Sequence, residues 1–269
     1  MHLIFDWIHS ILLGILTGIT ECLPISSKAH LLIVQGLWQL SPNRFYQFFK
    51  VAIEIGTICA IFYVFRKVLF SSHGAEKKKM FHLWKNIFFG SLPIGVGIFL
   101  IGSWIQKYLD ATFVIVVSLI SIGIIFLLIP DRSSKEKITS LEKLDPLHAF
   151  VIGLVQCVAL IPGASYYAFS ILGGLYVGCS KETASRFGYL LMGPALLFSG
   201  LFEVYVYFWM GNTISLSQVI MIILGSCFSF VCAVATIRIF LNFIKNHSWK
   251  GIGWYRIALG VLIFMTFCV

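Results

Sequence analysis

Charge is scarce in this chain: only 12% of its 269 residues are Asp, Glu, Lys or Arg, and only 11 are acids. Soluble domains carry about 25% charged residues, so a water-facing globular fold is excluded. The seven cysteines (22, 59, 157, 179, 227, 232 and 268) form no CxxC pair and no Cys/His ligand spacing, and each lies in or beside an apolar stretch. They read as small buried hydrophobes, not as a zinc site or a disulfide framework. The N-terminal run MHLIFDWIHSILLGILTG lacks a basic leader and a small-residue cleavage site, and it carries Asp6. It does not read as a signal peptide.

What the chain has instead is apolar length. Hydrophobic residues make up 59%, and mean hydropathy is +0.93. A bilayer core asks for about 20 apolar residues per helix, and six stretches supply them: 45–66, 86–105, 111–130, 184–208, 217–242 and 252–269. Two further apolar regions, 8–40 and 147–180, are interrupted by Gly, Pro and Ser. The expected fold is an all-α polytopic membrane protein.

The net charge of +9 matters only through its placement. Fourteen of the 20 Lys and Arg fall in three stretches: 66–85, 131–145 (with Arg132 and Lys135) and 238–256 (with Arg238, Lys245, Lys250 and Arg256). This is the positive-inside pattern of cytoplasmic loops, and it implies no nucleic acid. With 66–85, 131–145 and 243–251 cytoplasmic and the cation-free 209–216 external, the first half begins outside and the second inside.

The two interrupted regions resemble each other. Pro24-Ile25-Ser26-Ser27 and Pro162-Gly163-Ala164-Ser165 stand 138 positions apart, and each is followed by a long helix opening on Arg-Phe, at Arg44 and Arg186. The chain reads as an inverted duplication, with halves 1–130 and 146–269 joined by the polar linker 131–145. Broken apolar segments at matching positions of inverted halves point to a binding site at their interface, because irregular backbone at membrane depth survives only where it lines a cavity or is buried in protein. Both segments are expected to be re-entrant hairpins whose tips, near Ser26 and Ala164, meet.

The first tip gathers Glu21, Ser26, Ser27, Lys28 and His30 within ten residues. Intramembrane ionisable groups default to function, although Ser26 capping the next helix while Lys28 and His30 face the interface is the plain structural alternative. A helix N-terminus after Pro-x-Ser-Ser offers free N–H groups and a positive dipole end for an anion. Lys28 adds a donor, and His30 lies three residues after Ser27, a helix-face neighbour. Serine beside histidine, with a carboxylate to orient or to hold a cation, is an activated-nucleophile arrangement. At the second tip Gly163 permits a tight turn and Ser165 can donate to an anion, beside Tyr166; an ordinary helix break has the same appearance. Lys50 and Glu54, an i, i+4 pair inside 45–66, either neutralise each other or face the cavity.

The run GITECLPISSKAHLLIV resembles the first signature of the bacterial undecaprenyl-diphosphatase family, the bacitracin-resistance type of integral membrane phosphatase. FYQFFKVAIEIGTICAIFYVFRK and GLVQCVALIPGASYYAFSILGGLYVGCSKETASRFGYLLMGP extend the resemblance over nearly the whole chain. It implies hydrolysis of a polyisoprenyl diphosphate to the monophosphate carrier of cell-wall synthesis, in the bacterial plasma membrane. The implied catalytic residues are Glu21, Ser27 and His30, with a divalent cation (Mg or Ca) near Glu21. The implied substrate contacts are Ser26, Lys28, Lys50, Glu54, Gly163, Ser165 and Tyr166. The expected partners are that lipid, membrane lipids and, as an oligomer, a second copy in a homodimer. Several positions depart from the family pattern: Thr17 stands where its first acid does, Tyr166 where its arginine does and Tyr167 where the following serine does, Lys28 replaces a small polar residue, and Lys50 and Glu54 stand for a Glu and a Gln. Lys28 and Lys50 restore positive charge, and Glu54 supplies a displaced carboxylate. The alternative is a non-catalytic paralogue, a lipid-phosphate transporter or carrier using the same cavity. A purely structural subunit leaves Glu21 and His30 unexplained.

Overall fold

Helices form wherever apolar length and good helix formers coincide, and turns fall where Gly, Pro and Ser cluster. The computed structural model describes residues 2–39, 43–71, 74–130 and 137–268. Among them run α1 (His2–Thr20), α2 (Ser27–Leu37), α3 (Arg44–Ala52), α4 (Glu54–Leu69), α5 (Gly74–Leu109), α6 (Thr112–Leu128), α7 (Pro146–Gln156), α8 (Tyr166–Tyr176), α9 (Lys181–Trp209), α10 (Leu216–Asn246) and α11 (Lys250–Phe267). Five stretches are long and apolar enough to span a bilayer: Arg44–Leu69, Gly74–Ile105, Lys181–Trp209, Leu216–Asn246 and Lys250–Phe267. The expected span 111–130 is the helix Thr112–Leu128, at 17 residues the short end of the bilayer-spanning range of about 17–25.

The distribution of polarity is that of a protein dissolved in lipid. Outward-facing side chains include Leu100, Leu128, Trp209 and Leu216, each at least three-quarters exposed, whereas Asn86, Gln156 and Arg256 are fully buried. The chain is a multi-pass membrane protein.

Three expectations need correction. The stretch 66–85 is not a loop, since α4 continues to Leu69 and α5 begins at Gly74. Lysines are good helix formers, so hydropathy there marks the edge of the apolar layer and not the end of a helix. The span 45–66 is jointed: α3 stops at Ala52 and α4 starts at Glu54, with Ile53 between them. Arg256 is no loop cation, because it lies in α11 and is fully buried. Of the linker, residues 131–136, with Arg132 and Lys135, lie outside the described residues. Its end is pinned to the α8–α9 turn, where Ser180 N–H donates to the Ile138 carbonyl at 2.9 Å.

Helices distant in sequence pack together, α1 on α10, α7 on α5 and α6 on α11. Bare backbone makes these crossings possible. A Cβ on Gly14 would clash with the Gly225 carbonyl oxygen, and one on Gly153 with that of Gly90. Gly123 and Gly253 meet in the same way between α6 and α11. Such small-residue contacts are how membrane helices gain van der Waals packing when lipid offers no hydrophobic drive.

Gly153→Ala is therefore expected to force α5 and α7 apart and cost about 1–3 kcal/mol, the range of overpacking. Gly200→Ala, whose Cβ would meet nothing within 4 Å, should be neutral or stabilising by up to about 1 kcal/mol, the helix-propensity gain. Thermal unfolding of the two variants in detergent checks the contrast; equal melting temperatures would refute it.

Candidate active site

Each interrupted region folds as helix, turn, helix, and both turns end on a serine in an unusual conformation. Ser26 has φ 71° and Ser165 φ 79°, a left-handed region that side chains other than Gly, Asn and Asp seldom enter. Each serine caps the helix that follows: Ser26 Oγ accepts from Ala29 N–H at 3.4 Å, and Ser165 Oγ from Ala168 N–H at 3.3 Å. The capping role expected of Ser26 is what the structure shows. Gly163, at φ 90°, makes the preceding bend of the second turn.

The two turns meet, and the group that joins them is Arg256. Its guanidinium donates from one nitrogen to the Pro24 carbonyl at 2.9 Å, and from the other to those of Gly163 at 2.8 Å and Ala164 at 3.4 Å. A second tie lies close by, where Tyr189 of α9 donates its hydroxyl proton to the Cys22 carbonyl at 2.7 Å. Helix breaks at membrane depth leave carbonyls without helical partners, and a planar fork with several donors suits them better than a lysine would.

Beside the joined tips opens a cavity of about 220 Å³. From the first tip it is walled by Glu21, Ser26, Ser27 and Lys28, and from the second by Gly163, Ser165 and Tyr166; Lys50 and Glu54 face it from α3 and α4. Nine expected site residues, from both halves and from the helix between, thus share one wall. The N-terminal ends of α2 and α8, with their free N–H groups, both border it. The Ser27 hydroxyl lies beside the Glu21 carboxyl. A hydroxyl next to a carboxylate, at a helix N-terminus, can attack or hold a phosphoryl group.

Two expected groups are elsewhere. His30 does not reach Ser27. Its Nδ1 is 2.8 Å from the Ser26 carbonyl, which can only accept, so Nδ1 carries the proton; a neutral ring then accepts at Nε2 from the Tyr255 hydroxyl, 2.7 Å away. The ring turns back one helical turn to the cap and stacks on Tyr255. Thr17 is fully buried and does not border the cavity. Tyr167 also leaves the site, packing on Tyr189 with ring centroids 4.0 Å apart.

Three charged residues of the region were not singled out from the sequence. Arg256 had been counted with the loop cations, although a cation inside an apolar helix is itself a functional signal. Glu203 carried the same signal within 184–208; it borders the cavity and pairs with Arg44 at 2.8 Å. Asp110, between α5 and α6, pairs with Lys28 at 2.6 Å and had no signal beyond being an acid between two spans.

No group of three or more His, Cys, Asp or Glu able to hold a metal exists among the described residues. The carboxylates bordering the cavity fit a more limited cation site. Glu21 and Glu54 stand close enough to repel each other, and Mg²⁺ characteristically takes one or two carboxylates plus substrate phosphate oxygens.

Comparison with known proteins places these features in a family. Residues 10–262 match the family described as Bacitracin resistance protein BacA. The chain is 33% identical over 266 residues to Undecaprenyl-diphosphatase 1 of Oenococcus oeni, covering 96% of each chain. It is 32% identical to Undecaprenyl-diphosphatase of Lacticaseibacillus casei, covering 97% of this chain and 98% of that one. It is 34% identical to Undecaprenyl-diphosphatase of Enterococcus faecalis, covering 94% and 95%.

Because Arg256 satisfies carbonyls in both tips, Arg256→Met should cost about 3 kcal/mol or more, two charge-assisted hydrogen bonds at about 1.5–3 kcal/mol each. Arg256→Lys should recover less than half of that loss, since one ammonium cannot reproduce the fork. Melting temperatures in detergent test this, and a lysine variant as stable as the parent would refute it.

Proposed function

The chain belongs to the bacitracin resistance protein BacA family, and we propose that it hydrolyses undecaprenyl diphosphate to undecaprenyl phosphate and inorganic phosphate, recycling the lipid carrier for cell-wall synthesis. The observation that carries this reading is the meeting of two serine-capped helix N-termini, α2 and α8, at one cavity that also holds Glu21 and Ser27. Those backbone N–H groups and dipole ends suit a diphosphate, and Lys28 and Lys50 add positive charge.

In this mechanism the terminal phosphate lies against the two tips. Glu21 takes the proton of the attacking hydroxyl, that of Ser27 or of a water beside it, as its oxygen bonds to the terminal phosphorus. The bond from that phosphorus to the bridging oxygen breaks, and the lipid monophosphate leaves. If Ser27 is the attacking group, a water then cleaves the phosphoserine. His30 keeps the shape of the first tip through the Ser26 carbonyl, a positioning role. A divalent cation held by Glu21, Glu54 and the substrate would offset phosphate charge.

We place the protein in the bacterial plasma membrane, with residues 66–85 and 243–251 cytoplasmic and 209–216 external, following the cations at the facing ends of α4 and α5 and of α10 and α11. We read the chain as an inverted duplication. The reciprocal packing of α1 on α10 and α7 on α5, and the matched serine caps, support that reading.

Phosphate release from undecaprenyl diphosphate by the purified protein, with Mg²⁺ or Ca²⁺ supplied, tests the function. Glu21→Gln and Ser27→Ala should each lower kcat roughly 10²-fold or more, the scale of general acid–base loss. Ser26→Ala should mainly cost about 1 kcal/mol of cap stability. If Glu21→Gln and Ser27→Ala both leave kcat within about threefold of the parent, well short of that scale, the assignment of roles is wrong.

A further inference from the structure

Lys28 is the second residue of α2 and borders the cavity, so it stands where a phosphate at the first tip would need a donor. Its ammonium is engaged, however: Nζ lies 2.6 Å from Asp110 Oδ1. Asp110 belongs to neither α5 nor α6 but to the short connection between them, and it borders the same cavity. The two side chains are 44% and 35% exposed, which puts the pair at the cavity mouth. The ion pair of Glu203, which borders the cavity, with Arg44 differs in kind, for Glu203 is only 5% exposed and is held between α3 and α9.

A helix N-terminus favours an anion and disfavours a cation. Lys28 is a cation in that position, and Asp110 supplies the anion. Toward Lys28 the Asp110 carboxylate therefore plays the part that a phosphate oxygen plays when substrate is bound. An exposed pair is weak, and lysine is a flexible point charge that can change partner.

We propose that Asp110 is an intramolecular competitor of the diphosphate. It holds the Lys28 ammonium at the mouth while the cavity is empty, yields it to the terminal phosphate of the incoming lipid, and takes it back as phosphate departs. Asp110 thus sets substrate affinity through Lys28, without touching the reacting atoms. The proposal takes its substrate class from the phosphatase reading, but competition for Lys28 applies to any diphosphate.

The test uses the purified full chain, with undecaprenyl diphosphate for kinetics and inorganic pyrophosphate as a binding probe that needs no turnover. Asp110→Asn should lower both KM and the pyrophosphate Kd roughly two- to fivefold, the factor an exposed ion pair represents, without raising kcat. Asp110→Ser should repeat the effect. Lys28→Ala should raise both constants, and Asp110→Asn added to Lys28→Ala should change neither further, the signature of direct coupling. Unchanged or higher constants in both Asp110 variants overturn the proposal, as does the same fall in the Lys28→Ala background, which would make Asp110 a general field effect. A parent protein that binds pyrophosphate with this dependence yet hydrolyses no lipid keeps the competition and sinks the phosphatase reading. A parent that hydrolyses lipid with constants indifferent to Asp110 does the reverse.

Discussion

The cavity depends on one guanidinium held out of water. Arg256 is fully buried, and a buried charge is tolerable only when its donors are used. Here the two terminal nitrogens are used on the three carbonyls that the two helix breaks expose. The dependence runs both ways, because the carbonyls lack helical partners and the guanidinium needs acceptors. Serines in the left-handed region cost of order 1–3 kcal/mol each and persist only where surroundings over-determine them. The fork at Pro24, Gly163 and Ala164, together with the caps on Ala29 and Ala168, supplies that over-determination. Once the turns are fixed, so are the directions in which α2 and α8 point their N–H groups.

Backbone contacts elsewhere serve the same end. Gly14 against Gly225 and Gly153 against Gly90 bring α1 onto α10 and α7 onto α5 at very close range. A tip is held by its own two helices, so the position of α1 and α7 is inherited by Ser26 and Ser165. The cavity is walled by both tips, so neither turn alone encloses it.

How much of this was legible depended on the kind of signal. The breaks at Pro24-Ile25-Ser26-Ser27 and Pro162-Gly163-Ala164-Ser165 were readable because Pro, Gly and Ser interrupt apolar runs for local, steric reasons. Ser26 as a cap follows from the same chemistry. Long-range pairings were not readable. Arg256 meets Pro24 from 232 positions away, and Asp110 meets Lys28 across most of the first half; nothing local marks either partner. His30 shows a further limit. Spacing of three from Ser27 suggests a shared helix face, but Ser27 is the first residue of α2, and the ring bonds back to the Ser26 carbonyl four residues before it. Hydropathy likewise located the apolar layer near 66–85 while saying nothing about where α4 and α5 end.

Thr17 and Tyr166 lack the charges that the resemblance assigns to their positions, and the geometry shows why anion affinity need not vanish with them. The donors at the tips are backbone N–H groups of α2 and α8, whose presence does not depend on side-chain identity so long as the caps and Arg256 hold. Thr17 is buried away from the cavity, so its neutrality removes no group from the wall, while Tyr166 contributes a neutral hydroxyl bordering it. The charged side chains that do border it, Glu21, Glu54, Asp110 and Glu203 against Lys28 and Lys50, with Arg44 paired to Glu203 and Arg256 behind the tips, nearly balance in number. Such a wall can rest in low dielectric without a bound anion, and a diphosphate entering it must take cations from their carboxylate partners. Lys28 and Asp110, the exposed pair, are the ones that can part at least cost, whereas Arg44 and the nearly buried Glu203 would leave an uncompensated charge behind. Substrate affinity is then set less by how many cations face the cavity than by how firmly each is already held.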